Sequence, residues 1–128
     1  MTATHEKNMY GNRLEDMAVR VIRVADALPR KLSAQHIALQ MIRSGTSAGA
    51  NYCEAQGAES RADFAHKIQI AVKELRETLF WLRITSKADL LPAERLDPLM
   101  KEVDELIAIG VKSVVTAKKN AKLGRQSS

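Results

Sequence analysis

The chain has 128 residues and a mass of 14.2 kDa, enough for one domain with its own core and too little for a separate catalytic domain beside it. Apolar residues make up 45% and charged residues 27%, proportions that exclude intrinsic disorder, while three prolines and six glycines leave long unbroken stretches that speak against an all-β fold. The net charge is +5, but residues 1–111 hold 15 of the 20 Lys and Arg and all 15 Asp and Glu, so Lys112, Lys118, Lys119, Lys122 and Arg125 supply the whole excess.

Residues 1–11 have no apolar periodicity and are expected to be a flexible N-terminus. From there Leu14, Met17, Ala18, Val21, Val24, Ala25 and Leu28 recur at steps of three and four, the stripe of a first amphipathic helix that Pro29 ends. Ser33 is the expected N-cap of a second helix, whose apolar stripe is Ile37, Met41, Ala48, Tyr52 and Ala55. The middle of that helix, Ser44 to Ala50, is almost wholly small. Two interior glycines, Gly45 and Gly49, each cost about 1 kcal/mol relative to alanine. A helix that keeps them is expected to need close backbone contact with a neighbour.

Gly57 to Ser60 break the pattern, and Ser60 with Asp63 three residues on forms a helix-start signature. Phe64, Ile68, Ala71, Leu75, Leu79 and Leu82 then make the cleanest stripe in the chain. After Leu90-Leu91-Pro92 a fourth stripe runs from Leu96 to Ala117; Pro92 suits a first helical turn, and Pro98 allows a later start. Four such helices with short breaks predict an all-α, antiparallel up-down-up-down four-helix bundle over residues 12–121. Residues 122–128 lack periodicity and are expected to be a flexible basic tail.

Catalysis finds no support in this pattern. Asp63 and His66 have metal-ligand spacing, but only once, and bundle metal sites need inward carboxylates with a Glu-x-x-His pair on each of two helices. Neither a metal nor a cofactor is expected. No Gly-Lys-Ser/Thr follows Gly45 or Gly49, so there is no phosphate loop. Ser44 and Ser47 have no histidine and acid placed to serve them. Cys53 lies far from a helix start and is expected to be a buried structural thiol. The single cysteine calls for no oxidising compartment, and no segment reaches the roughly 18 apolar residues of a membrane span; a cytoplasmic protein is the expectation.

Two features point to interactions instead. Arg43, Ser47, Asn51 and Glu54 share a polar face of the second helix, and Lys73, Glu77 and Trp81 stack similarly on the third with Glu74 beside them. They read either as a solvated face or as a polar network between helices or subunits, which the tryptophan favours. The C-terminal cations, Lys112, Lys118, Lys119, Lys122 and Arg125, suit phosphate contacts with RNA or DNA, or serve only as a solubilising end. With five aromatic residues in the chain, a base-stacking platform of the single-strand-binding kind is not expected.

The run from Arg43 to Ala55, followed by Glu59 to Phe64, Lys67 and Glu74 to Leu82, resembles the bacterial four-helix-bundle family related to proteins encoded in 23S ribosomal RNA intervening sequences. Many members of that family have Asn-Ile-Ala-Glu-Gly where this chain has Asn51-Tyr52-Cys53-Glu54-Ala55. The family is similar in fold to the accessory protein of diversity-generating retroelements, a basic homopentamer that associates with nucleic acid and a reverse transcriptase. The resemblance implies a cyclic homopentamer and no catalytic residues. The expected function is a non-enzymatic adaptor associated with RNA or a ribonucleoprotein; the alternative is a structural or protein-recruiting scaffold that binds no nucleic acid.

Overall fold

The structure, a computed structural model, describes residues 9–127. These residues form four helices: α1 (Met9–Ala27), α2 (Leu32–Gln56), α3 (Arg61–Lys87) and α4 (Ala93–Ser127). Each helix packs on its neighbours in sequence, and α1 closes the circuit against α4. Cross-helix contacts fix the directions. Tyr10 stacks on Tyr52 while Val21 faces Gly45, His36 meets Trp81 while Arg43 meets Glu77, Arg61 meets Asn120 while Val72 faces Gly110, and Tyr10 meets Leu106 while Arg13 meets Glu102, so numbering runs in opposite directions along every seam and all neighbours are antiparallel.

The apolar stripes do face one core. Leu14, Met17 and Val21 of α1, Met41 of α2, Leu75 and Leu82 of α3, and Leu96, Val103 and Leu106 of α4 are all fully enclosed. Burial of a Leu, Met or Val side chain contributes about 1.5–3 kcal/mol each, so this shared core, rather than helix propensity, holds the bundle together.

The helix ends are set by local chemistry. Ser60 caps α3 as expected, its hydroxyl accepting from the Asp63 backbone N–H at 3.0 Å. The Asp63 carboxylate accepts in return from the Glu59 backbone N–H at 3.4 Å, one residue earlier than in a regular capping box. The other end of α3 is a Schellman turn: Leu90 N–H reaches Thr85 O at 3.0 Å and Asp89 N–H reaches Ser86 O at 3.1 Å, with Asp89 in the left-handed region at φ 55°.

Four boundaries differ from expectation. Ser33 is not the N-cap of α2; Lys31 occupies that place without a side-chain cap, because a turn closed by Lys31 N–H on Pro29 O starts the helix earlier. Pro98 does not delay α4, which begins at Ala93 and carries Pro98 in its second turn, where the missing N–H costs only a bond to the carbonyl of exposed Glu94. The helix also continues past Ala121 to Ser127. Lys122, Leu123, Arg125 and Gln126 are good helix formers that offset the cost of about 1 kcal/mol at Gly124, and the absence of an apolar stripe does not by itself end a helix. The expected flexible N-terminus of residues 1–11 is also too long: residues 9–11 belong to α1, where Tyr10 is held by Tyr52 and Leu106 O, and residues 1–8 lie outside the described residues.

Gly45 and Gly49 both face α1, but only Gly45 is tight. A Cβ at Gly45 would lie 3.0 Å from Val21 Cγ1, whereas one at Gly49 would sit an ordinary 3.7 Å from Leu14 Cβ. The tightest of the described glycines is elsewhere, at Gly110 of α4, where a Cβ would lie 2.6 Å from Val72 Cγ2 and 3.0 Å from Tyr10 Oη. Tyr10 Oη donates to Leu106 O at 2.7 Å, and burial pushes its pKa up to about 12.

Candidate functional site

The polar stripe of α2 divides into two parts. Arg43 crosses to α3, where its guanidinium contacts Glu74 at 3.1 Å and also Glu77, and Trp81 Nε1–H donates to Glu77 at 3.3 Å. Glu74 is buried, Glu77 and Trp81 are half-buried and Arg43 is exposed. The Arg43 hydrogen bond holds the Glu77 carboxyl below the usual range against an opposing push from burial, with help from Trp81. Ser47 and Asn51 turn back onto their own helix instead, donating to Arg43 O at 2.6 Å and to Ser47 O at 2.8 Å. Glu54 is exposed. Lys73 is exposed and enters none of the ion pairs found among the described residues.

Cys53 is exposed, not buried. The stripe of α2 that faces the core passes through Ala48 and Ala55, and Cys53 lies about 140° around the helix from Ala48.

The solvent side of the Arg43 cluster is apolar. His36 and Phe80 each meet Trp81 edge-on, with ring centroids 5.8 and 4.9 Å away. Phe80 is 51% exposed and Leu39 is 69% exposed. The fold thus places an ion-paired cluster, three rings and an exposed leucine on one face formed by α2 and α3.

A second polar contact between these helices was not anticipated from the sequence. Thr78 Oγ1 lies 2.8 Å from Ser44 Oγ and 2.9 Å from Glu74 O, and both side chains are fully enclosed. Ser44 and Thr78 stand on core-facing positions among apolar residues, and that misplacement was the available signal. Between α1 and α4, Arg13 spans Glu102 at 2.7 Å and Glu105 at 3.0 Å. It holds Glu102 below the usual carboxylate range.

The C-terminal cations are helical. Lys112, Lys118, Lys119 and Lys122 are all exposed and enter no ion pair among the described residues; the Arg125 side chain lies outside the described residues. Lys112 and Lys119, two turns apart, share one face of α4, and Lys118 and Lys122 share the next. No acidic residue follows Glu105 in the chain, so this half of α4 presents one sign of charge on a rigid rod. Lys112 is therefore not part of a detachable tail, since buried Val114 and Ala117 follow it.

No group of three or more His, Cys, Asp or Glu converges among the described residues, and none of the described helices is long and apolar enough to cross a membrane. A comparison with curated proteins finds no match. Among solved structures, the chain is similar to a protein of unknown function from the S23 ribosomal protein family of Bacteroides thetaiotaomicron VPI-5482, at 30% identity and a TM-score of 0.77, over 82% of this chain and 97% of that one. Residues 6–111 match the family model described as 23S rRNA-intervening sequence protein, a segment that ends immediately before Lys112. With most of its length matched and its fold shared with a solved relative, the chain belongs to the 23S rRNA-intervening sequence protein family.

Proposed function

We propose that the protein is a non-enzymatic, self-associating helical bundle that acts as an adaptor for RNA or a ribonucleoprotein. The observation that carries this reading is the charge layout: a neutral body followed by an α4 segment with exposed lysines and no acid. Such a rod attracts phosphate and releases counterions, whatever the base sequence. A single copy would bind weakly. Several copies in one assembly bring several rods to one strand, and the second contact then occurs at high effective concentration.

The face for self-association is the one around Trp81, where Leu39 and Phe80 are exposed beside rings and an ion-paired cluster. An exposed aromatic and aliphatic group with a polar cluster beside it has the make-up of an interface. The number of copies rests on the family resemblance, which implies a cyclic pentamer. Such a role belongs in the cytoplasm and requires no cofactor.

Light scattering at micromolar concentration is expected to give five times the 14.2 kDa of the single chain, and Phe80→Glu to shift the mass toward that of one chain. A stable monomer of the unaltered protein would refute self-association. Absence of RNA binding by the intact chain at low salt would instead favour the scaffold that recruits protein alone.

A further inference from the structure

A cleft of about 600 Å³ opens between the start of α3 and the second half of α4, within the size range of small-ligand sites. Its floor is apolar, formed by Ile109 and the half-buried ring of Phe64. Exposed Arg61 from α3 and Lys112 from α4 line the cleft as well, and Ser113 and Thr116 supply hydroxyls. None of the lining residues is acidic. The nearest carboxylate in sequence, Asp63, is engaged by Lys67 at 3.7 Å and by the Glu59 backbone N–H.

Arg61 is held in place across the cleft. Its Nη1 donates to Asn120 O at 3.1 Å, a contact that uses one of five N–H donors and leaves the positive charge without a carboxylate partner among the described residues. A backbone carbonyl therefore orients the guanidinium without neutralising it. A planar fork fixed in this way suits phosphate oxygens, and Lys112 adds a point charge.

We propose that this cleft binds one nucleotide unit: the phosphate between Arg61 and Lys112, the base against Phe64, and the sugar hydroxyls toward Ser113 and Thr116. The combination of two cations with an apolar floor and no acid is what selects a nucleotide over a bare anion, which would make no use of the floor, and over an uncharged apolar ligand, which would leave both cations unanswered. The unit comes either as a free mononucleotide or as one residue of a strand. The second source rests on the RNA reading above and makes the cleft its anchoring subsite, so that the lysines of α4 hold the neighbouring phosphates. All of the α4 residues in the cleft except Ile109 lie beyond the segment matched to the family.

The test is heteronuclear NMR of the full chain titrated in parallel with adenosine monophosphate, inorganic phosphate and an eight-residue oligoadenylate. Adenosine monophosphate is expected to move the Phe64 ring, Ser113 and Thr116 resonances along saturable curves. Inorganic phosphate should move Arg61 and Lys112 and leave the Phe64 ring in place. Arg61→Gln with Lys112→Gln, both exposed positions, should weaken mononucleotide binding by about tenfold or more, since two charge-assisted contacts are lost. Equal ring shifts with phosphate alone would reduce the cleft to an anion site and overturn the proposal. Oligoadenylate binding with the cleft resonances unmoved would overturn it as well while leaving the RNA reading intact. Mononucleotide shifts in the cleft without oligoadenylate binding would sustain the cleft and sink the RNA reading.

Discussion

Gly110→Ala should destabilise the bundle while Gly49→Ala stabilises it, although both place a methyl group on a helix in place of a glycine. Alanine is favoured over glycine by about 1 kcal/mol in a helix interior, and at Gly49, half-buried with its nearest neighbour 3.7 Å from the new Cβ, that gain is retained. At Gly110 the new Cβ would meet Val72 Cγ2 at 2.6 Å and Tyr10 Oη at 3.0 Å. A helical valine has one strongly preferred rotamer and cannot swing aside cheaply, and Tyr10 is tied to Leu106 O. Overpacking of this kind costs about 1–3 kcal/mol, more than the propensity gain. Gly110→Leu should reach the upper end of that range. Urea denaturation at matched protein concentration measures both signs, the matching being needed because self-association feeds into apparent stability. Val72→Ala in the Gly110→Ala background should recover part of the loss, a coupling expected only if the two side chains collide. Stabilisation by Gly110→Ala would show that α3 and α4 do not approach so closely.

The pair of hydroxyls between α2 and α3 should respond asymmetrically. Two protons serve three contacts: Ser44 Oγ to Thr78 Oγ1 at 2.8 Å, Thr78 Oγ1 to Glu74 O at 2.9 Å, and Ser44 Oγ to Met41 O at 3.4 Å. Ser44→Ala leaves Thr78 its good bond to Glu74 O, so a loss of about 1 kcal/mol or less is expected. Thr78→Val leaves a fully enclosed Ser44 hydroxyl with only the long contact to its own helix, and the penalty for such a group is about 1–3 kcal/mol. The double variant should cost less than the sum of the two, since replacing both partners removes the unsatisfied group. Equal and additive losses in chemical denaturation would mean that the hydroxyls do not meet.

The helical periodicity and Ser60 were enough to place the bundle, because amphipathic stripes follow from burial of one face and a capping hydroxyl acts over three residues. Contacts between stripes were less accessible. The small run of α2 indicated a close crossing but not which glycine makes it, and Gly110 stands alone in an otherwise ordinary stripe with nothing local to mark it. Arg43, Glu74, Glu77 and Trp81 were recognisable as a cluster from their spacing. Ser47 and Asn51 share that face, yet they bond to their own helix, since a short side chain reaches the carbonyl four residues back more readily than a neighbouring helix. The basic end reads as a tail because its apolar stripe fades after Ala117, although good helix formers on both sides of Gly124 are enough to continue a helix without one. Arg61 gave no signal at all in sequence: its place opposite Lys112 depends on the antiparallel docking of α3 and α4.

The charge layout of α4 is tested most directly by the salt dependence of binding to an unstructured RNA, compared between the intact chain and a variant carrying Lys118→Gln, Lys119→Gln and Lys122→Gln. These three side chains are exposed, so the variant keeps the buried Val114 and Ala117 that truncation before them would remove. Each phosphate contact on a single strand contributes about 0.7 to the slope of log affinity against log salt. The variant should therefore bind more weakly at low salt, with a slope shallower by about 2 for each rod engaged. Identical affinities and slopes for the two proteins would contradict an RNA-binding role for this end of the bundle.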